Sequence, residues 1–472
     1  MLGSLIRDKG RGGRRGYALP KLDVEGVDVG KIVPETMLRK EKPGLPEVDE
    51  PAVIRHYTNL SRQNWGIDTN FYPLGSCTMK HNPRANEVAA AVPGFAGLHP
   101  LQPEEQVQGA LRVMHELQGF LAEISGLPAV SLQPMAGAQG ELTGILMVKR
   151  YFEDAGDDER TTVLVPSTAH GTNPATASMA GFGAEEIGLD EHGGVDVDEL
   201  REKVDETTAA LMITNPNTCG VYERNMAEIA ATLHEAGAFL YMDGANMNAN
   251  LGRMRPAEAG VDVMHFNLHK TFSTPHGGGG PGSGAIACSE TLAPFRPDPM
   301  VERDGEHYFR LVRPEKSIGR VAGFHGNFGQ LLRAWNYIKM HGPELRDVTD
   351  MAVLNANYVR ARLGGTYRVP YDELCKHEVV VQPPKGKRAL DVAKGLIDHG
   401  FHPPTIYFPL VVKEAMLIEP TETESKETLD DFVGAMLELA ESTPEELEEA
   451  PVHATTRRLD EARAARKLKA RW

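Results

Sequence analysis

Lys270 stands just after a short apolar run, in Asn267-Leu268-His269-Lys270-Thr271, and a glycine-rich stretch over 277–282 follows it. A lysine at the end of a buried strand is costly unless it is paired or used chemically. An amine held out of water favours its neutral form, which attacks an aldehyde to give a Schiff base. The glycines permit close approach of backbone to a ligand. Asp243 ends a second apolar run, in Met242-Asp243-Gly244-Ala245-Asn246. A carboxylate there can pair with a protonated pyridine nitrogen and keep that ring an electron sink, or it can cap a helix. His170 follows a third run, in Ala169-His170-Gly171-Thr172. It can stack on a ring, move protons, or serve as a structural histidine. Gly137-Ala138-Gln139-Gly140-Glu141 leads into a helical run over 142–151. A glycine-rich turn at a helix N-terminus offers free N–H groups and a dipole that suit a phosphate, and a plain turn has the same composition. No Walker lysine follows, so a nucleoside-triphosphate loop is not supported.

These residues need a scaffold that brings distant segments together. Short apolar runs occur at 162–165, 209–213, 238–242, 263–266 and 284–288, and 227–236 reads as a helix between two of them. Strand, helix, strand with short links predicts a parallel sheet flanked by helices. In such sheets ligands bind at the carboxyl ends of the strands. Four of the runs are followed by polar segments carrying His170, Thr214, Asp243 and Lys270. The fold class is therefore α/β, with a large sheet domain at 96–335. Apolar residues at three- and four-residue steps predict a helix over 104–124. Residues 1–95 read as an arm that packs on a partner, ending in an ordered polar loop at 70–83. A smaller C-terminal α/β domain, 336–472, follows. The region 326–362 reads as helical, 379–381, 389–397 and 415–418 give strand, helix, strand, and 427–441 gives a last helix. No fixed-period repeat is present.

Composition sets limits on function. The chain has 472 residues, 41% hydrophobic and 25% charged, with a net charge of −16. An acidic surface argues against nucleic acid as the main partner. Both ends are locally basic, as in Arg7, Arg11, Arg14 and Arg15, which suits solvated or partner-docked termini. No apolar run is long enough to span a bilayer, and no apolar segment follows the Arg14-Arg15 pair. A cytoplasmic location is expected. The four cysteines, Cys77, Cys219, Cys288 and Cys375, are far apart, so neither a zinc site nor a disulfide framework is indicated. No metal is expected.

The segment HFNLHKTFSTPHGGGGPGSG at 265–284 resembles the pyridoxal-phosphate (PLP) lysine signature of the glycine-cleavage-system P-protein family, glycine dehydrogenase (decarboxylating). NFYPLGSCTMKHNP at 70–83, MAGAQGE at 135–141, AHGTNPA at 169–175, MDGANMNA at 242–249, LNANY at 354–358 and EPTETE at 419–424 are similar to the same family. The resemblance runs from about residue 30 to 445. By length the chain is similar to the C-terminal half, the lysine-bearing subunit 2. The resemblance implies a fold-type-I PLP enzyme that decarboxylates glycine and passes the aminomethyl group to the lipoyl arm of H-protein, releasing CO₂. It implies a second subunit, subunit 1, in a heterotetramer of two copies of each. Carried over, Lys270 holds the cofactor, Asp243 pairs with its ring nitrogen and His170 stacks on the ring. Ala138 and Gln139 lie in the phosphate turn, and Thr214 and His269 are site neighbours. His170 or Lys270 serves as the proton carrier. No residue is marked as the glycine-carboxylate ligand; Arg313 and Arg320 are candidates by charge alone.

Two further readings remain open. One is another fold-type-I PLP enzyme acting on amino acids, such as a desulfurase or an aldolase. Cys77 is the cysteine that lies within a distinctive motif. The other is a non-catalytic scaffold subunit.

Overall fold

In a computed structural model of the protein, short apolar runs become the strands of a seven-stranded sheet. The structure describes residues 5–41, 43–277, 282–371 and 373–468. Residues 278–281 of the glycine run lie outside the described residues, as does the extreme of the basic C-terminal tail. The strands are β1 (Ala129–Ser131), β2 (Thr162–Pro166), β3 (Gly183–Ile187), β4 (Thr208–Thr214), β5 (Phe239–Gly244), β6 (Val263–Phe266) and β7 (Ile286–Cys288). Their order is β1-β7-β6-β5-β4-β2-β3. Pairs β2·β3, β2·β4, β4·β5 and β5·β6 are parallel, and β7 runs antiparallel to both β1 and β6.

Why these runs form a central sheet follows from their two-faced burial. Every residue of β4 and β5 is buried. Side chains alternate along a strand. Leu211, Ile213, Leu240 and Met242 pack on one side with helices Gln108–Ser125, Met226–Glu235 and Phe328–His341. Ala210, Met212, Phe239 and Tyr241 pack on the other with helices Gly137–Ala155 and Thr172–Met179. The result is three layers. Each fully buried Leu or Ile contributes about 1.5–3 kcal/mol of transfer free energy.

Two strands carry no apolar signal. In β3, at the sheet edge, the first four residues, including Glu185 and Glu186, face solvent, so the run is polar. The three residues of β1 are too few for a pattern. A further two-stranded hairpin, β8 (Met300–Asp304) and β9 (Tyr308–Val312), is equally polar on its open face.

The helical region expected at 326–362 is two helices, Phe328–His341 and Leu345–Leu363, broken at Gly342, whose φ is 51°. Beyond it lies an antiparallel sheet ordered β10-β12-β11, from β10 (Val379–Val381), β11 (Thr405–Ile406) and β12 (Met416–Ile418). Helices Ala389–Asp398 and Lys426–Glu441 join it in a separate core that includes Val379, Leu396, Met416 and Phe432. The sheets and helices of 70–450 form one compact unit. The described residues of 5–69 with 451–468 form another, whose helix Glu50–Ser61 is capped by Asp49 accepting from the Ala52 N–H. No helix among the described residues is long and apolar enough to cross a membrane.

The loop at 70–83 is ordered by pairing with the end of β12. The Gly75 N–H donates to the Leu417 carbonyl at 3.2 Å, and the Glu419 N–H donates to the Pro73 carbonyl at 3.2 Å. A Cβ on Gly75 would lie 2.2 Å from Leu417 Cγ, so only glycine fits this approach.

Candidate active site

The carboxyl ends of β2, β4, β5 and β6 open onto one cavity of ≈ 490 Å³. Its wall includes Ala138, His170, Thr214, Asp243, His269 and Lys270, all expected from the sequence. Cys77, Glu141, Asn246 and Asn267 also line it. Arg313 and Arg320 are exposed and do not line the cavity.

Lys270 sits on the short helix Leu268–Thr271 that begins directly after β6. Its ammonium donates to the Ser76 carbonyl at 2.8 Å, which parks the amine against the 70–83 loop. That loop is strained. Ser76 and Thr78 take φ values of 65° and 47°, which non-glycine residues rarely adopt. Buried carboxylates hold it there. Glu378 accepts from the Ser76 N–H at 2.8 Å, and Glu419 accepts from the Thr78 N–H at 2.9 Å and from the Thr78 hydroxyl. Burial pushes both carboxyls up; Glu419 raises Glu378 further, and Glu422 raises Glu419.

Asp243, at the end of β5, is 2% exposed. Its Oδ1 accepts from the Ala245 N–H at 2.9 Å, and its Oδ2 from the Asn173 amide at 3.2 Å. Burial alone would raise its carboxyl. His265, the Ala245 N–H, Lys270 and Asn173 outweigh that and hold it below the usual range. The carboxylate therefore stays charged, as a partner for a protonated ring nitrogen requires. His265 lies 3.2 Å from Asp243 Oδ1 and takes a hydrogen bond with Tyr241 at 2.8 Å.

His170 Nδ1 accepts from the Thr172 N–H at 3.2 Å, which leaves the proton of the neutral ring on Nε2. His269 is pushed down to about 4 by burial and by Lys270, so it is neutral at physiological pH.

The helix expected to begin at 142 begins at Gly137, because Ala136 already accepts the first intrahelical bond, from the Gly140 N–H at 2.9 Å. Gly137, Ala138 and Gln139 are thus its first turn, where N–H groups lack intrahelical partners. The Gln139 side chain is engaged elsewhere, accepting from the Met135 N–H at 2.8 Å and donating to the Val321 carbonyl. Unlike Ala138, Gln139 does not line the cavity. A Cβ on Gly137 would lie 2.0 Å from Asn267 Oδ1. Gly137→Ala is therefore expected to push the turn off the end of β6 and weaken cofactor binding at least about tenfold, an energy of about 1.4 kcal/mol. Equilibrium titration with PLP checks this.

The wall also carries buried polar atoms with no protein partner: Thr214 Oγ1, Asn267 Oδ1 and His276 Nδ1. Such atoms are costly unless a ligand completes them. Together with an amine, a charged carboxylate and a helix N-terminus, they fit an aldehyde-bearing, phosphorylated pyridine.

Other residues around the site lie inside or near the segments that carry the family resemblance, but the sequence marks none of them for a role. Glu141, Asn173, His265, Glu378 and Glu419 are 4% exposed or less. Cys77 is pushed up to about 11, by burial above all, against the pull of Lys270. Its thiol stays protonated, unlike the lowered thiol of a reactive cysteine.

His377 gives a pH prediction. It is fully buried, neither ring nitrogen has a hydrogen-bond partner, and burial first and Lys270 second push it from 6.5 down to about 3. Between these values the unfolded chain binds a proton that the folded chain refuses. Stability is therefore lost as pH falls through that window, by up to about 1.4 kcal/mol per pH unit for this group. Denaturation midpoints measured from pH 7 to pH 4 are expected to fall less steeply in His377→Leu.

Comparison with known proteins agrees with this geometry. Residues 348–463 match the family model "Glycine dehydrogenase, C-terminal domain", and residues 141–293 match "Aminotransferase class-V". The chain is 56% identical to the probable glycine dehydrogenase (decarboxylating) subunit 2 of Halalkalibacterium halodurans, over 98% of this chain and 97% of that one. It is 51% identical to the protein of the same description from Alkaliphilus oremlandii, over 99% and 98%. A crystal structure of glycine decarboxylase (P-protein) of the glycine cleavage system, in inhibitor-bound form, shares the fold. Its TM-score is 0.74 at 23% identity, covering 87% of this chain and 94% of that one. A NifS-like protein shares it at a TM-score of 0.62 and 16% identity, covering 79% and 99%. With identity above half over nearly its whole length, the chain belongs to the glycine dehydrogenase (decarboxylating) subunit 2 family.

Proposed function

We propose that the protein decarboxylates glycine with PLP and transfers the aminomethyl group to the lipoyl arm of H-protein, releasing CO₂. The observation that carries this reading is the convergence of Lys270, Asp243 and the first turn of helix Gly137–Ala155 on one cavity, in a chain of this family. Lys270 would hold the cofactor covalently through its amine. The N–H groups of the turn at 137–139 would hold its phosphate, and Asp243 would hold a proton at its ring nitrogen. Bound there, PLP supplies an electron sink for the pair released as the carboxylate leaves. His170, with its proton fixed on Nε2, would stack on the ring and deliver or receive a proton at the site. Thr214 and His269 would complete the wall. The chain would work in the cytoplasm with subunit 1, in a heterotetramer.

Carboxyl-labelled glycine tests the proposal. Labelled CO₂ should appear only when subunit 1 and lipoylated H-protein are both supplied. Turnover of another amino acid without H-protein would overturn it. The protonated Cys77 thiol weighs against a desulfurase.

A further inference from the structure

Beside Asp243 lies a second buried carboxyl, Glu141, in the helix Gly137–Ala155 and 4% exposed. Carboxyl oxygens of Glu141 and Asp243 and a ring nitrogen of His265 lie within 4.8 Å of one another. The Asn173 amide bridges the two carboxyls, at 2.9 Å from Glu141 Oε2 and 3.2 Å from Asp243 Oδ2. Glu141 Oε1 lies 2.9 Å from the Thr172 hydroxyl, which in turn lies 2.8 Å from His170 Nδ1.

We propose that Glu141 is a positioning residue that holds the single proton of the Glu141–Asp243 pair and, through Thr172, fixes His170. Two buried carboxylates this close cannot both ionise cheaply. Their surroundings are unequal. Asp243 has the Ala245 N–H, His265 and the field of Lys270, whereas Glu141 Oε2 has the shared Asn173 amide and the Thr176 hydroxyl, and its Oε1 faces the Thr172 hydroxyl, which can donate or accept. The charge therefore rests on Asp243 and the proton on Glu141. The other titratable groups facing Glu141 are Tyr241 and His265 from β5 and β6, and His170 beyond Thr172. In agreement, burial first and Asp243 second push Glu141 up to about 7.

The direction of the hydrogen bonds then depends on that proton. With Glu141 protonated, its O–H donates to the Thr172 hydroxyl, which donates to His170 Nδ1. His170 Nδ1 receives two donors, this hydroxyl and the Thr172 N–H, and its proton is fixed on Nε2. Once Glu141 loses its proton to solvent, the Thr172 hydroxyl turns to donate to the carboxylate. His170 keeps one donor, and a second negative charge lies beside Asp243. The link to His170 and to a ring nitrogen rests on the function proposed above; the titration of Glu141 does not.

Two measurements keep these apart. Infrared spectra of the cofactor-free protein should show a protonated-carboxyl band that titrates near pH 7 and is lost in Glu141→Gln. Glu424, also pushed up to about 7, contributes a second band, which Glu424→Gln removes, and the buried Glu378 and Glu419, both pushed up, contribute bands that Glu141→Gln leaves in place. In the PLP-loaded enzyme, the visible absorption should show an inflection near pH 7 that is absent in Glu141→Gln, whose amide mimics the protonated acid. An unchanged inflection in that variant overturns the link. If no band distinguishes Glu424→Gln protein from the double variant Glu424→Gln with Glu141→Gln, the proton assignment is overturned. That arm needs no cofactor.

Discussion

Lys270→Ala is expected to abolish covalent attachment of PLP and to lower glycine decarboxylation at least about 10³-fold, as removal of a covalent catalytic group does. Lys270 is the one amine among the described residues lining the cavity, so no neighbour replaces it. The change spares the fold. The side chain is half-buried and, among the described residues, makes one hydrogen bond, to a carbonyl on a loop that Glu378 and Glu419 hold independently. Borohydride reduction followed by mass spectrometry reads the outcome directly. PLP should be fixed to Lys270 in the native chain and to no residue in the variant. Covalent PLP elsewhere, or turnover near the native rate, would remove Lys270 from its place.

The largest expected loss of stability is at Lys80. Its ammonium is buried and donates to the Thr271 carbonyl at 2.7 Å, Glu422 Oε1 at 2.8 Å, Asn248 Oδ1 at 3.0 Å and the Tyr337 hydroxyl at 3.3 Å. Burial would lower its pKa, but Glu422 outweighs this and raises it, so the charge is kept. Glu422→Leu leaves that charge without its counter-ion and is expected to cost about 3–5 kcal/mol. The double variant Lys80→Met with Glu422→Leu should recover much of the loss, because an apolar pair of similar volume replaces a desolvated ion pair. Denaturation midpoints of the four proteins in the cycle decide the matter. Additive losses would mean that the ion pair is not what couples the two residues. Lys80 also grips the carbonyl of Thr271, next to Lys270, so Glu422→Leu should loosen PLP binding as well.

Much of the scaffold was legible because strands buried on both faces are written as unbroken apolar runs. The same rule fails where burial fails. Glu185 and Glu186 face water on β3, and the strand reads as polar. The polar segments after the runs led to Lys270, Asp243, His170 and Thr214, since residues at the carboxyl ends of neighbouring parallel strands must meet. What stayed hidden was the support around them. Glu141, Glu378 and Glu419 are indistinguishable by type from surface acids, and only the fold removes them from water. The bond from Lys270 to Ser76 joins positions 194 residues apart, which no local pattern encodes. Gln139, expected in the phosphate turn, does lie in the first turn of the helix, but its side chain bonds to Met135 and Val321.

The single reversed strand of the sheet works as a ruler. Cys288 in β7 pairs with Ala129 of β1 on one side and with Val263 of β6 on the other. The two outer strands leave the sheet by the same edge, one toward the helix start at Gly137 and the other toward Lys270. Strand register thus sets where the two strand ends lie, and residues 132–136 and Asn267 carry the chain from those ends to the helix N-terminus and to the amine's helix. A slip of one residue would turn inward side chains outward and break the gauge at once.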